Sequence, residues 1–293
     1  MKVRKAVIPV AGFGTRFLPA TKATPKEMLA IVDKPALQYI VEEAAASGIE
    51  SILFVTNRGK SAIENHFDHN VELENMLAEK GKEEALQQLR AINNLCDIFY
   101  VRQNEMLGLG HAILCARDFV GNEPFAILLG DDMVWNPADP CIGQLIREYD
   151  KTGSSIIGCQ TVPRAVIDKY GCIDGEKLSQ DLYRIRSMVE KPKPEEAPST
   201  VAVLGRHVLD PVVFEYLAET KPGYGGEIQL TDALCAMAKD REVLGYDFKG
   251  RRYDIGDKQG YLEATVEFAL RDPVLRDPFR AYLQQLTAGD MTF

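Results

Sequence analysis

The strongest constraint on this chain is an alternation of short runs of β-branched and aliphatic residues with longer segments of helical period. Residues 5–10 (KAVIPV), 51–56 (SILFVT), 97–102 (DIFYVR), 125–129 (FAILL) and 155–160 (SIIGCQ) read as strands. Residues 35–46 (PALQYIVEEAAA), closed by Ser47-Gly48, read as a helix, as do a segment through Ile63 and Phe67 and one near residues 111–116. Continuous Val, Ile and Leu runs belong to strands buried on both faces, and the amphipathic segments between them supply the cover. The pattern predicts an α/β fold with a mostly parallel central sheet between helical layers. At 293 residues the chain is long enough for one large α/β domain or two small ones.

From about residue 171 the rhythm changes. Residues 182–189 and 201–205 are short and strand-like, and Pro192, Pro194 and Pro198 interrupt them. This predicts a smaller mixed-sheet region laid over one end of the main sheet. Residues 261–271 (YLEATVEFALR) read as a helix, and Pro273 and Pro278 break the chain before a last helix near residues 279–286. Residues 71–91 are charged and helical in period, which suits a solvated helical hairpin better than a lid or partner surface.

A formal net charge of −9 argues against nucleic acid or an acidic membrane as the main partner. The six cysteines (Cys96, Cys115, Cys141, Cys159, Cys172 and Cys235) form no C-x-x-C pair and read as reduced thiols. The opening MKVRKAVIPVAG reads as a buried first strand, not an export signal, because a glycine turn and Arg16 follow at once with no small-residue cleavage site. No apolar run approaches the roughly 20 residues that cross a bilayer. These features predict a cytoplasmic protein.

An acidic chain that handles phosphate must gather its cations locally, and it does so at residues 11–28 (AGFGTRFLPATKATPKEM). A dinucleotide turn needs G-x-G-x-x-G; Gly12 and Gly14 fit, but Phe17 takes the third place and Pro19 forbids an immediate long helix. This disfavours a Rossmann dehydrogenase. The Walker pattern G-x-x-x-x-G-K-[ST] is absent too. What remains is a glycine turn whose N–H groups can form an anion nest, followed by Arg16, Lys22 and Lys26. Arg16 offers a planar fork and Lys26 a point charge, and several cations on one loop suit a polyphosphate.

G-x-G-T-R followed by L-P-A-T-K-A-x-P-K-E-M-L and V-D-K-P resembles the signature of the sugar-nucleotide pyrophosphorylases, a nucleotidyltransferase family. The likeness continues in order through IENHFD (63–68), VRQ (101–103), GLGHA (108–112), LLGDD (128–132), VEKP (189–192), GEIQLTDA (226–233) and YDIGD (253–257). Ala30 departs from the proline that the family usually has after Met-Leu, and touches no chemistry. The resemblance implies a Rossmann-like α/β/α nucleotidyltransferase domain over residues 1–260. Residues 1–135 would mainly bind nucleotide and 136–260 mainly sugar phosphate, while C-terminal helices at 261–293 would make the contacts of a homodimer or homotetramer.

The long A-T-K-A-x-P-K-E-M loop is closest to the members that join UTP to α-D-glucose 1-phosphate, giving UDP-glucose and pyrophosphate with Mg²⁺. Thymidylyl transfer, uridylyl transfer to another sugar 1-phosphate, and a catalytically inactive nucleotide-sugar sensor stay open as alternatives. A direct attack of the sugar phosphate on the α-phosphorus needs positioning and charge neutralisation but no enzyme nucleophile.

By family position Arg16, Lys26 and Lys191 would be catalytic. Ala11, Gly12, Gly14, Thr15, Gln103 and Gly108 would hold the nucleotide, and Gly171, Glu190 and Val203 the sugar. Asp131 and Asp254 would hold the metal. Taken without the family, several of these residues have plainer readings. Asp132 serves as a turn or cap residue, Asp254 is equally a turn residue before Gly256, and Gln103 is an exposed strand-end glutamine. His111 reads as a structural helix-start histidine, and Glu227 and Asp232 as capping or loop-fixing residues.

Overall fold

The computed structural model describes residues 2–289, so residues 290–293 of the expected C-terminal segment lie outside the described residues. Strand β1 (Lys5–Pro9) carries Ala6, Val7 and Ile8 completely buried. Alternate residues of a strand point to opposite faces, and accordingly Ala6 and Ile8 join one hydrophobic core while Val7 joins the other. After β1 the proline-stiffened loop forms only three short 3₁₀ turns, Thr15–Phe17, Ala20–Lys22 and Lys26–Met28.

A small ribbon of β2 (Ala30–Ile31) and β3 (Lys34–Pro35) leads into α1 (Ala36–Ala46). Next come β4 (Ser51–Thr56), α2 (Ser61–Phe67), α3 (Val71–Glu79), α4 (Glu83–Asn93) and β5 (Asp97–Arg102). Helices α3 and α4 are the expected solvated hairpin, mostly exposed and holding Leu77 and Leu86 inward. The chain continues through α5 (Leu109–Leu114), α6 (Arg117–Val120), β6 (Phe125–Leu128), β7 (Asp132–Trp135), α7 (Cys141–Thr152) and β8 (Ser155–Thr161). The second half holds β9 (Gly171–Lys177), β10 (Leu182–Glu190), β11 (Val201–Leu209), α8 (Val213–Glu219), α9 (Leu230–Asp240), β12 (Val243–Asp247), β13 (Arg251–Asp254), α10 (Lys258–Arg271) and α11 (Arg276–Ala288).

Nine strands make one sheet in the order β5-β4-β1-β6-β11-β8-β12-β10-β9. Strands β5, β4, β1 and β6 are mutually parallel. Strand β11 runs antiparallel to both β6 and β8, β12 is parallel to β8, and β10 and β9 are antiparallel additions. The mixed region is therefore not laid over one end of the sheet, as the change of rhythm suggested; it continues the same sheet. Strand β11 makes the join, because its register shifts between Val203 and His207. Its later residues pair with β6 while Ala202 and Val203 reach β9. Helices α1, α7 and α10 cover one face through Leu37, Ile40, Ile142, Leu145 and Phe268. Helices α5, α8 and α9 cover the other through Ile113, Val213, Leu230 and Leu234.

A buried ion pair ties these layers to the end of β6. Arg206 has no exposed surface and donates Nε and Nη2 to Glu43 Oε1 and Oε2 at 3.0 and 2.7 Å. Its Nη1 donates to the Asp132 carbonyl at 2.7 Å, and Glu43 Oε1 also accepts the Ile142 N–H at 3.0 Å. A bidentate pair whose remaining hydrogen-bonding groups are satisfied is the form in which a buried charge is tolerated. Here it fixes the backbone next to Asp131. Among the described residues the six cysteines are all free, and no helix is long and apolar enough to cross a membrane.

Candidate active site

The four parallel strands deliver their C-terminal ends to one side of the sheet, where open α/β sheets bind ligands. The glycine loop follows β1, Asn57 follows β4, Gln103 follows β5 and Asp131 follows β6. Gly14 sits at φ 66°, the left-handed region that glycine enters without strain. A Cβ there would also lie 3.0 Å from Lys26 Cβ. The loop is held by Thr21 Oγ1, which donates to the Gly14 carbonyl at 2.8 Å, and by Asn57 Nδ2, which donates to the Ala11 carbonyl.

A cavity of ≈ 480 Å³ opens over this loop, and Ala11, Gly12, Gly14, Thr15, Lys26, Gln103, Gly108 and Asp131 are among its lining. Gln103 is buried rather than an exposed strand-end residue. Its Nε2 donates to the Gly108 carbonyl at 3.0 Å and lies 3.1 Å from His111 Nδ1, so His111 fixes the amide. Gly108 has φ 104°, and a Cβ there would strike Glu227 Cβ at 2.6 Å and the Ile228 carbonyl at 2.9 Å. Only glycine fits under that strand of backbone.

Asp131 ion-pairs with Lys26 at the floor of the cavity. Burial works against both charges. Even so, Lys26 holds the Asp131 carboxyl below its ordinary value, and Asp131 with Glu27 holds the Lys26 ammonium above its own. The β7–β13 ribbon sets Asp254 in register with Asp132, and the Ile255 N–H donates to the Asp131 carbonyl at 3.0 Å. A Cβ on Gly256 would lie 2.9 Å from Asp131 Oδ2 and 3.3 Å from Asp254 Oδ1, so both carboxylates border one gap that the glycine keeps open.

Burial, with Asp132 and Asp131 nearby, pushes the Asp254 carboxyl up despite Arg252; a cation bound there competes with protons as pH falls. Among the described residues no group of three His, Cys, Asp or Glu side chains could hold a metal ion. Two carboxylate donors with a gap between them nevertheless fit Mg²⁺, which keeps several waters and takes one or two carboxylates plus phosphate oxygens. Asp132 is not part of this pair. It accepts Arg252 Nε at 2.8 Å and the Gly205 N–H at 3.0 Å, and is buried as an anchor.

A second cavity of ≈ 260 Å³ adjoins the first, and Asp131, Leu109, Leu129 and Glu227 line both. The registers Gly171↔Glu190 and Gly171↔Val203 bring the start of β9, the end of β10 and the start of β11 together. A Cβ on Gly171 would lie 3.2 Å from Glu190 Oε2 and 3.4 Å from Val203 Cβ. Thr231 Oγ1 donates to Glu190 Oε2 at 2.7 Å, and Lys191 Nζ lies 3.5 Å from Glu190 Oε1. Lys191 has φ 44°, a left-handed conformation that costs a non-glycine residue on the order of 1–3 kcal/mol. Its N–H donates to the Tyr170 carbonyl at 3.1 Å, and its Nζ lies 5.2 Å from the centre of the Tyr224 ring. Arg16 stands at the same mouth with Nη1 donating to the Gly256 carbonyl at 3.3 Å.

Every residue given a catalytic, nucleotide, sugar or metal role by family position thus lines one of two connected cavities, whereas Lys22, His111 and Asp232 line neither. Sequence reasoning missed Glu227 and Thr231, and with them Tyr170, Arg252 and His207 of the second cavity. Of the capping and loop-fixing roles expected for Glu227 and Asp232, capping does not hold, because α9 begins at Leu230 and its cap position Gln229 has no side-chain cap bond; Glu227 does tie its loop, with Oε2 accepting from Gln229 Nε2 at 3.4 Å. Glu227 also lies over Gly108. Only the doubled arginine before YDIGD hinted at a partner for the paired aspartates.

The family profile described as nucleotidyl transferase matches residues 5–270. The UTP–glucose-1-phosphate uridylyltransferase of Bacillus subtilis (strain 168) is 54% identical over 285 residues, covering 97% of each chain. That of Staphylococcus haemolyticus (strain JCSC1435) is 52% identical, covering 97% of this chain and 99% of its own. Among solved structures, a UDP-glucose pyrophosphorylase complexed with UDP-glucose is 46% identical with a TM-score of 0.85, covering 92% of this chain and all of that one. The UTP-bound enzyme from Acinetobacter baumannii is 39% identical with a TM-score of 0.90, covering 97% and 99%. Sequence and fold agree along nearly the whole length, and the chain belongs to the nucleotidyltransferase family.

Proposed function

We propose that this protein transfers the uridylyl group of UTP to α-D-glucose 1-phosphate, giving UDP-glucose and pyrophosphate. The observation that carries this reading is the pair of joined cavities: Asp131 borders both, its partner Lys26 lines the first, and Arg16 and Lys191 line the second. Near-full-length relatives named for that reaction support it. The uracil edge lies against Gln103, whose amide nitrogen is already engaged, leaving Oε1 to accept from the ring N–H. The N–H groups of Gly12 to Thr15 receive phosphate oxygens. Arg16 and Lys26 neutralise the triphosphate, and Lys191 aims the sugar phosphate, whose sugar rests on Gly171, Glu190 and Val203.

A phosphate oxygen of glucose 1-phosphate then forms a bond to the α-phosphorus as the bond to the β-phosphate oxygen breaks, and pyrophosphate leaves. Asp131 and Asp254 would hold Mg²⁺, and a divalent ion bound there would supply Lewis-acid neutralisation of the charge crowded on the phosphates. Residues 1–135 serve mainly the nucleotide and 136–260 mainly the sugar phosphate. Helices α10 and α11, with Tyr282 exposed on α11 and Val274 and Leu275 exposed in the turn between them, make the contact of a homodimer or homotetramer in the cytoplasm.

Uracil and thymine differ by one methyl group, worth about 1–3 kcal/mol in a pocket. A pyrophosphate-release assay across UTP, dTTP and several sugar 1-phosphates is expected to give its highest kcat/KM with UTP and glucose 1-phosphate. A strong preference for dTTP, or no turnover with Mg²⁺ despite UDP-glucose binding, would overturn the assignment.

A further inference from the structure

Beside the nucleotide cavity, on the other side of Phe13, lies a larger one of ≈ 670 Å³. Phe13, Gln103 and Met106 border both. The neighbour is lined by Lys22, Arg58, Lys60 and Arg102 and by no carboxylate among the described residues. In a chain of net charge −9 this is a marked local reversal. Lys22, Arg58 and Arg102 are exposed and have no ion-pair partner among the described residues. Lys60 is the buried cation of the wall, donating to Glu27 Oε2 at 2.7 Å.

The loop that carries Arg58 and Lys60 is shaped, not slack. Asn57 Oδ1 accepts the Gly59 N–H at 2.8 Å, while its Nδ2 holds the Ala11 carbonyl of the glycine loop. Four cations held by three separate segments around one concavity repel one another, and an anion between them relieves that repulsion. Two arginine forks match phosphate oxygens bidentately.

We propose that this cavity is a second anion site, distinct from the cleft, that takes inorganic pyrophosphate or a similarly compact polyphosphate. The charge favours a polyphosphate: three cations of this wall have no ion-pair partner among the described residues, more than one phosphate neutralises, and Lys60, already paired with Glu27, stands behind them. Lys60 also connects the site to the cleft, because its partner Glu27 lines the nucleotide cavity and keeps Oε1 buried without a partner. An occupant that draws on the Lys60 ammonium therefore alters the charge beside Lys26.

The test uses the whole protein saturated with UTP, without divalent metal or sugar phosphate, so that the cleft is filled and no reaction proceeds. The preceding UTP titration checks the reading of the cleft separately. Calorimetric titration of pyrophosphate into this complex is expected to fill one site per chain. The double variant Arg58→Ala/Arg102→Ala is expected to weaken that binding at least tenfold, with kcat and both KM values within about twofold of the parent. No pyrophosphate uptake, uptake unchanged in the variant, or equal binding of sulfate would each overturn the proposal. So would a large rise in the KM for UTP, which would make the arginines part of the cleft.

Discussion

Lys191→Ala is expected to lower kcat by about 10²–10³-fold, the loss that follows removal of one preorganised charge or donor at a reacting phosphate, while the dissociation constant for UTP stays within about twofold. Lys191 stands 3.5 Å from Glu190 in the second cavity and is not among the residues lining the cavity over the glycine loop. The proposed function gives its charge to the sugar phosphate. The backbone at φ 44° aims the side chain, and the bond from its N–H to the Tyr170 carbonyl keeps it there. Strain of this kind persists where the surroundings over-determine the conformation, and such places cluster at functional sites. Stopped-assay kinetics and nucleotide binding on the same preparation check the split. A large loss of UTP affinity with kcat preserved would remove Lys191 from its assigned place.

Asp131→Asn is expected to cost about 10³-fold in kcat, in keeping with the several kcal/mol that a metal supplies to a charged transition state. The Mg²⁺ concentration for half-maximal rate is also expected to rise. The amide keeps the size of the side chain and can still accept a hydrogen bond from Lys26, so thermal unfolding should change little. What the variant loses is the negative charge that Lys26 holds ionised and that borders the Gly256 gap with Asp254. An Mg²⁺ titration of rate for parent and variant reads this directly. Unchanged activity at saturating Mg²⁺ would exclude Asp131 as a ligand.

Much of the parallel half of the fold was legible because its strands are uninterrupted apolar runs. Residues 51–56 and 97–102 form strands with the bounds read from sequence, and the helix read over residues 35–46 begins one residue later and ends as expected at Ala46. Strand β9 (Gly171–Lys177) was not read, since GCIDGEK carries two glycines and three charges, and its place depends on pairing with β10 and β11. The β7–β13 ribbon joins segments more than a hundred residues apart, and no local pattern announces it.

The site divides in the same way. Gly12, Gly14 and Arg16 stand in one loop whose composition signals an anion. Asp132 serving Arg252, Glu227 lying over Gly108, and Lys60 serving Glu27 are pairings between distant segments. Only the folded chain brings them together.

The central claim is that the sugar phosphate displaces pyrophosphate from the α-phosphorus in a single step. The most direct measurement is the configuration at phosphorus in product made from UTP bearing a chiral α-thiophosphate of known hand. Inversion is the expected result. Retention would mean two successive displacements through a nucleotidyl group held on the protein, and would contradict the account.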